Sequence, residues 1–167
     1  MPGPIATRKV AILVADQFDG AGVAAMIKAL EAKGAKGLLV APELGEITAD
    51  NGDVLVPEFS ILTTASVLFD AVYVAGGEHA TEWALEADAV DFVREAYKHC
   101  KAVAATGEGA ELFEAAHIPS GGPDDSDPAD AATIVANGAS KLVIKRFIAA
   151  MAQHRLWSRE PELHLPL

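Results

Sequence analysis

Residues 9–15 read KVAILVA: one lysine followed by six apolar residues, three of them β-branched (Val10, Ile12 and Val14). A half-buried strand alternates apolar with polar. This run does not alternate, so it fits a strand covered on both faces, as in a parallel sheet. Working downstream, Val23, Met26, Ile27 and Leu30 fall at i, i+3, i+4 and i+7, an amphipathic helix that Gly34 stops. A second apolar run, GLLVA, follows at 37–41. Strand, helix, strand is the rhythm of a doubly wound sheet.

The same rhythm continues. Residues 71–75 (AVYVA) read as a third buried strand ending in Gly76-Gly77, and residues 101–106 as a fourth. Between them a helix over 88–100 carries an apolar stripe of Ala89, Phe92, Val93, Ala96, Tyr97 and Cys100. Gly107-Glu108-Gly109 turns the fourth strand into a helix containing Leu112 and Phe113. A last short strand is expected at 133–136. The helix over 138–154 is so apolar (Leu142, Val143, Ile144, Phe147, Ile148, Met151) that much of its surface is expected to be covered. Two short strands around Asp50-Asn51-Gly52 predict a hairpin excursion with a type I′ turn. Residues 120–130 (SGGPDDSDPAD) read as a loop, and the tail from His154 to Leu167 as extended chain. No repeat or internal linker divides the chain.

Composition narrows the function. The 167 residues, 51% hydrophobic, suffice for one domain with a real core. A net charge of −11 argues against nucleic acid and anionic membrane as partners, because both select clustered Lys and Arg. The start, MPGPIAT, has no charged segment leading into an apolar one, so no secretory signal is read and a cytoplasmic location is expected. One cysteine, Cys100, excludes an intrachain disulfide. On its helix stripe Cys100 reads as a small hydrophobe rather than a redox sensor.

In an open parallel sheet, ligands gather outside the carboxyl ends of the strands. Three loops qualify: 16–22, 76–80 and 106–110. The third has the tight strand-to-helix form of a nucleophile elbow, whose central side chain stands at a helix N-terminus. Asp16, Asp19, Gly76, Gly77, Glu78, His79 and Glu108 are the residues that these loops would gather into an acidic pocket. A solvated cluster without a ligand is the simpler reading of those carboxylates. Asp124, Asp125, Asp127 and Asp130 lack the glycine and the bidentate glutamate of a calcium loop. The five histidines show no ligand spacing, so no metal is expected.

Gly76-Gly77 after a strand and the elbow after the next strand resemble the class I glutamine-amidotransferase-like superfamily, in its PfpI-type branch. That resemblance implies a flavodoxin-like α/β fold: a doubly wound, mostly parallel sheet of roughly five strands with helices on both faces and a small β-hairpin excursion. It also implies a cysteine in the elbow and a carboxylate from the first loop. Aligning the helix start places Gly107 at the nucleophile position and Glu108 beside it, while Phe18-Asp19-Gly20-Ala21 leads to Gly22 at the carboxylate position. Glycine has no side chain to attack or to carry a proton, and Thr106 is one residue early. No catalytic residue is therefore expected.

A narrower resemblance rests on RKVAILVAD (8–16), GEITADNG (45–52), EAYKH (95–99) and MAQHRLWSREP (151–161). Together these are similar to the C-terminal domain of large-subunit, clade 2 haem catalases, from Arg8 to about Pro161. The resemblance implies haem and peroxide chemistry in a separate upstream core, with no cofactor in this domain, whose only tyrosines are Tyr73 and Tyr97. It implies that core and the neighbouring subunits of a homotetramer as partners, a role in stability and assembly, and a chaperone-like activity toward unfolded client proteins. The expected division is a linker at 1–7, the domain at 8–154 and an extended tail at 155–167. Two other readings stay open: a small-molecule or anion-binding module at the sheet edge, and a PfpI-type hydrolase or deglycase using an unorthodox residue such as Glu108 or Thr106. The anion reading has no G-x-G-x-x-G fingerprint behind it, and Glu108 would repel the ligand.

Overall fold

The computed structural model describes residues 5–119 and 133–153. Eight strands and four helices follow one another as β1 (Lys9–Leu13), α1 (Gly20–Ala32), β2 (Lys36–Ala41), β3 (Ile47–Thr48), β4 (Val54–Leu55), β5 (Phe59–Ser60), β6 (Ala71–Val74), α2 (Ala87–Lys98), β7 (Ala102–Thr106), α3 (Ala110–Ala115), β8 (Thr133–Ala136) and α4 (Lys141–Ala152). Six strands form one sheet in the order β5-β2-β1-β6-β7-β8, and every pair in it is parallel. The fold is the expected flavodoxin-like one. The five expected strands are all present; the sixth, β5, is a two-residue edge strand that pairs only Val40 with Phe59 and Ala41 with Ser60.

The unbroken apolar runs are explained by the two cores. In β1, Val10 and Ile12 enter the core beneath α1 and α4, while Ala11 and Leu13 enter the core beneath α2 and α3. β6 divides in the same way, Ala71 and Tyr73 to one side and Val72 and Val74 to the other. Successive side chains of a strand point to opposite faces, so a sheet with a core on each face needs apolar residues at every position.

Three helices end alike. Beyond α1, Ala35 N–H reaches Leu30 C=O and Gly34 N–H reaches Glu31 C=O. Lys101 to Ala96 with Cys100 to Tyr97, and Ile118 to Phe113 with His117 to Glu114, repeat the pattern after α2 and α3. These are Schellman motifs, whose C′ residue takes a left-handed conformation that favours glycine. Gly34 supplies it at φ 82°, but Cys100 and His117 adopt φ 62° and 58° with side chains attached. Cys100 is therefore not on the helix stripe where periodicity placed it. It caps α2 from beyond its last turn, buried all the same. His117 is exposed, so His117→Gly is expected to stabilise the domain by about 0.5–1 kcal/mol by relieving left-handed strain. Urea unfolding of the pair checks this, and a lower midpoint for the glycine variant contradicts it.

Two other expectations need correction. The hairpin β3–β4 forms, pairing Ile47 with Leu55 and Thr48 with Val54, but the connection spans five residues, not a two-residue type I′ turn. Gly52 is its one residue with positive φ. Asn51 instead accepts the Asp53 N–H through its side-chain oxygen (3.0 Å), a local turn that asparagine makes readily. In α4, Val143, Ile144, Phe147, Ala150 and Met151 are buried, but Leu142 is 54% exposed. The described residues cover one face of that helix and leave the other open.

Candidate functional site

The sheet's order changes direction at β1, with β2 to one side and β6 to the other. Loops leaving neighbouring strands on opposite sides of such a point diverge, and a crevice opens between them. Here it is a cleft of about 460 Å³, lined by Gln17, Asp19, Asp50, Gly76, Gly77, Glu78, Thr106, Gly107, Glu108 and Asn137.

The loop after β1 is pinned from both sides. Asp19 N–H donates to Gly76 C=O (2.9 Å) and Gln17 N–H to Thr48 C=O (2.7 Å). Gly77 is required by this closeness: a Cβ there would stand 2.6 Å from Gln17 O and 2.7 Å from Phe18 Cα, and its φ is 137°. The hairpin closes the same corner, since Asp50 N–H reaches Phe18 C=O (2.8 Å) and Asp50 Oδ1 accepts the Gly20 N–H (3.1 Å).

The elbow has the form read from its sequence. Gly107 opens a 3₁₀ turn, Gly107–Gly109, at φ 54°. A Cβ on Gly107 would meet only Asn137 O and Gly76 Cα, both at 3.5 Å, an ordinary contact distance. The position is vacant and has room. Gly22 differs. Asp19 caps α1 by accepting the Gly22 N–H (3.0 Å), and in doing so puts its carboxylate 2.2 Å from where a Gly22 Cβ would be. At that place the space is filled.

The nearby polar groups are already engaged. Thr106 is fully buried; its hydroxyl lies 2.8 Å from the Tyr73 phenol and accepts the Gly76 N–H at 3.3 Å. Glu108 Oε2 accepts the Gly77 N–H (2.9 Å). That bond, followed by one from its own N–H, holds the Glu108 carboxyl below the ordinary glutamate range. A carboxylate so held is a poor base at neutral pH. Burial pushes the Tyr73 phenol up to about 12; the Thr106 hydroxyl opposes the shift and Asp19 adds to it.

Of the residues expected to gather here, Asp19, Gly76, Gly77, Glu78, Gly107 and Glu108 line the cleft. Asp16 instead accepts the Thr48 N–H (3.1 Å), and His79 pairs with Glu82 (3.3 Å). Gly22 lies just behind, beneath Asp19. Sequence reasoning missed Gln17, Asp50 and Asn137. In the sequence Asp50 reads only as part of a turn, and nothing in its spacing signals that the hairpin folds back onto the first loop. Among the described residues no three of His, Cys, Asp and Glu are grouped to hold a metal, and no helix is long and apolar enough to cross a membrane. The aspartates at 124, 125, 127 and 130, the histidines at 154 and 164 and the tail lie outside the described residues.

A flavodoxin-like sheet with a strand-to-helix elbow facing the switch-point cleft is a fold shared with ThiJ/PfpI-type domains. Solved structures agree on the fold. A ThiJ/PfpI domain protein from Brachyspira murdochii superposes with a TM-score of 0.72 at 16% identity, over 89% of this chain and 98% of that one. A ThiJ/PfpI family protein from Pseudomonas syringae gives 0.67 at 15% identity, over 96% and 76%.

The sequence relatives are more particular. Residues 6–161 match the family described as the C-terminal domain found in long catalases, and the chain belongs to that family. It is 37% identical over 166 residues to catalase HPII of Mycobacterium avium, covering 95% of this chain and 23% of that protein. To catalase HPII of Pseudomonas aeruginosa it is 36% identical over 162 residues, with coverages of 96% and 21%. The chain thus spans less than a quarter of the length of these relatives. Its own tyrosines do not fit a haem ligand: the Tyr73 phenol is held protonated and bonded to Thr106, and Tyr97 is buried on the core face of α2.

The two glycines make separate predictions testable with one variant. Gly107→Cys is expected to fold, at a cost of about 1–2 kcal/mol for a left-handed residue with a side chain, and to present a thiol that iodoacetamide alkylates under native conditions. No peptidase or deglycase activity is expected to accompany it, because the seat of the partner carboxylate is filled by Asp19. Turnover of a peptide or glyoxal substrate by this variant contradicts the assignment.

Proposed function

We propose that the chain is a non-catalytic accessory domain of a large-subunit catalase, comprising a folded unit at 8–154 and a tail at 155–167. Its role is to support stability and assembly of the oligomer through contacts with the haem-bearing core and neighbouring subunits. The observation that carries this is the emptied elbow: Gly107 has no side chain in a place with room for one. Thr106 and Glu108, the two unorthodox candidates, are both committed to other bonds. The cleft is then the remnant of a site, kept because its glycines and caps hold three loops together.

Deleting the domain from the full-length protein tests the proposal. Peroxide turnover per haem is expected to persist, while the tetramer dissociates or inactivates at a lower temperature. Loss of turnover per haem in an intact, equally stable tetramer would falsify it. A chaperone-like activity has a narrower basis: seven large apolar side chains of the described residues, from Leu44 to Leu142, are more than half exposed. Failure of the chain to suppress light scattering by a heat-aggregating client at stoichiometric amounts removes that reading.

A further inference from the structure

On one face of the sheet α1 and α4 lie side by side, and an open groove of about 790 Å³ runs between them. Its floor and walls are apolar, among them Ala29, Ala32, Ile144, Ile148 and Ala152. Its rim is cationic. Lys28, Lys33, Lys141 and Lys145 border it, half of the eight lysines in a chain whose net charge is −11. All four are exposed, and among the described residues none forms an ion pair. Glu31 is the one carboxylate on either helix, while Arg146 adds to the lysines, so five positive charges stand against one negative.

The β3–β4 hairpin carries the opposite surface. Ile47 and Leu55, paired across it, turn inward to the core that α1 covers. The alternate positions turn outward, where a solvent face would be polar. Val54 and Val56 nevertheless stand there, each more than half exposed, as is Leu44 ahead of β3. Glu43, Glu46, Asp53 and Glu58 accompany them, all exposed and none in an ion pair among the described residues. No Lys or Arg occurs from residue 37 to residue 93. Groove against groove, or hairpin against hairpin, would bring like charges together; hairpin against groove joins apolar to apolar and four carboxylates to four lysines. Within one chain the two cannot meet, because the bond from the Gly20 N–H to Asp50 holds the hairpin at the start of α1.

We propose that the hairpin of a second copy of this chain seats in the groove, with Val54 and Val56 on the apolar floor and the four carboxylates among the four lysines. Hairpin and groove flank the same helix. A two-fold axis across the middle of α1 runs the two α1 helices antiparallel and brings the hairpin at the start of one to the end of the other, where Ala32, Lys33 and Ala152 line the groove. Each copy then fills the other's groove, and the contact closes at two copies instead of running on. The contact gives the assembly role of the domain a partner and rests on that role for its purpose in the full-length protein. Deletion of the domain tests the role; reversal of charge tests the contact alone.

Sedimentation equilibrium of the 167-residue chain is expected to show a dimer that weakens as salt rises. Lys28→Glu with Lys145→Glu in one variant, and Glu46→Lys with Asp53→Lys in another, are each expected to raise the dissociation constant more than about tenfold. Mixing the two variants is expected to restore the dimer, since one of its two contacts is then native and the other has both signs exchanged. That recovery also shows that both variants fold. A chain that stays monomeric up to about 1 mM, a dimer indifferent to both reversals, or variants that do not pair when mixed each overturn the proposal.

Discussion

Gly77→Ala is expected to cost the domain about 3 kcal/mol or more and to lower its melting temperature by roughly 6–12 °C. Two effects add. The backbone at Gly77 lies at φ 137° and ψ 163°, a region open essentially to glycine alone. The added Cβ also meets backbone atoms, Gln17 O at 2.6 Å and Phe18 Cα at 2.7 Å, and backbone cannot rotate away as a side chain can. Gly52→Ala separates the two effects: its φ is 91° but nothing lies within 4 Å of the new methyl, so about 1 kcal/mol is expected. Calorimetry of both variants checks the order. Equal losses would show that conformation alone matters and that the loops are not in the contact described.

Phe147→Ala is the second large effect, a loss of about 3–5 kcal/mol. Phe147 is fully buried, and its ring lies 6.5 Å from that of Tyr73, tilted by 49°. It plugs α4 into the core on that face of the sheet, alongside Ala104 and Ile134. A single domain is stable by only some 5–15 kcal/mol, so one such cavity removes a large share. Urea unfolding should show a reduced midpoint with little change in slope. A loss below about 1 kcal/mol would mean that the ring is not in the core.

Much of this fold is legible in the sequence because a parallel sheet with two covers writes itself as uninterrupted apolar runs. KVAILVA and AVYVA carry that signal because they are short and rich in β-branched and aromatic residues, and AVYVA ends in Gly76-Gly77, which together favour strand over buried helix. β5 does not, since two residues have no periodicity. The hairpin was legible from Asn51-Gly52, but its turn was not, because an asparagine side chain bonded to the Asp53 N–H serves as well as a left-handed backbone. Cys100 followed the helical period for one residue too many: periodicity reports a buried face and not the turn at which the chain leaves it. At the cleft, the loops and the two glycines were readable from strand order and the elbow. The contents of the space beside Gly22 were not. They depend on the rotamer of Asp19, three residues earlier, which no pattern of residue types encodes.

That rotamer bears on how the domain changes over generations. A mutation placing a side chain at Gly22 must first evict the Asp19 carboxylate, and the eviction uncaps α1, costing about 1 kcal/mol. A mutation at Gly107 alone yields an unassisted thiol with nothing to select it. Each single step toward an active pair is therefore neutral at best or harmful, and only the simultaneous change is rewarded. Asp19 thus ties the two positions together: while it caps the helix, a side chain at Gly22 carries a stability cost that one at Gly107 does not share.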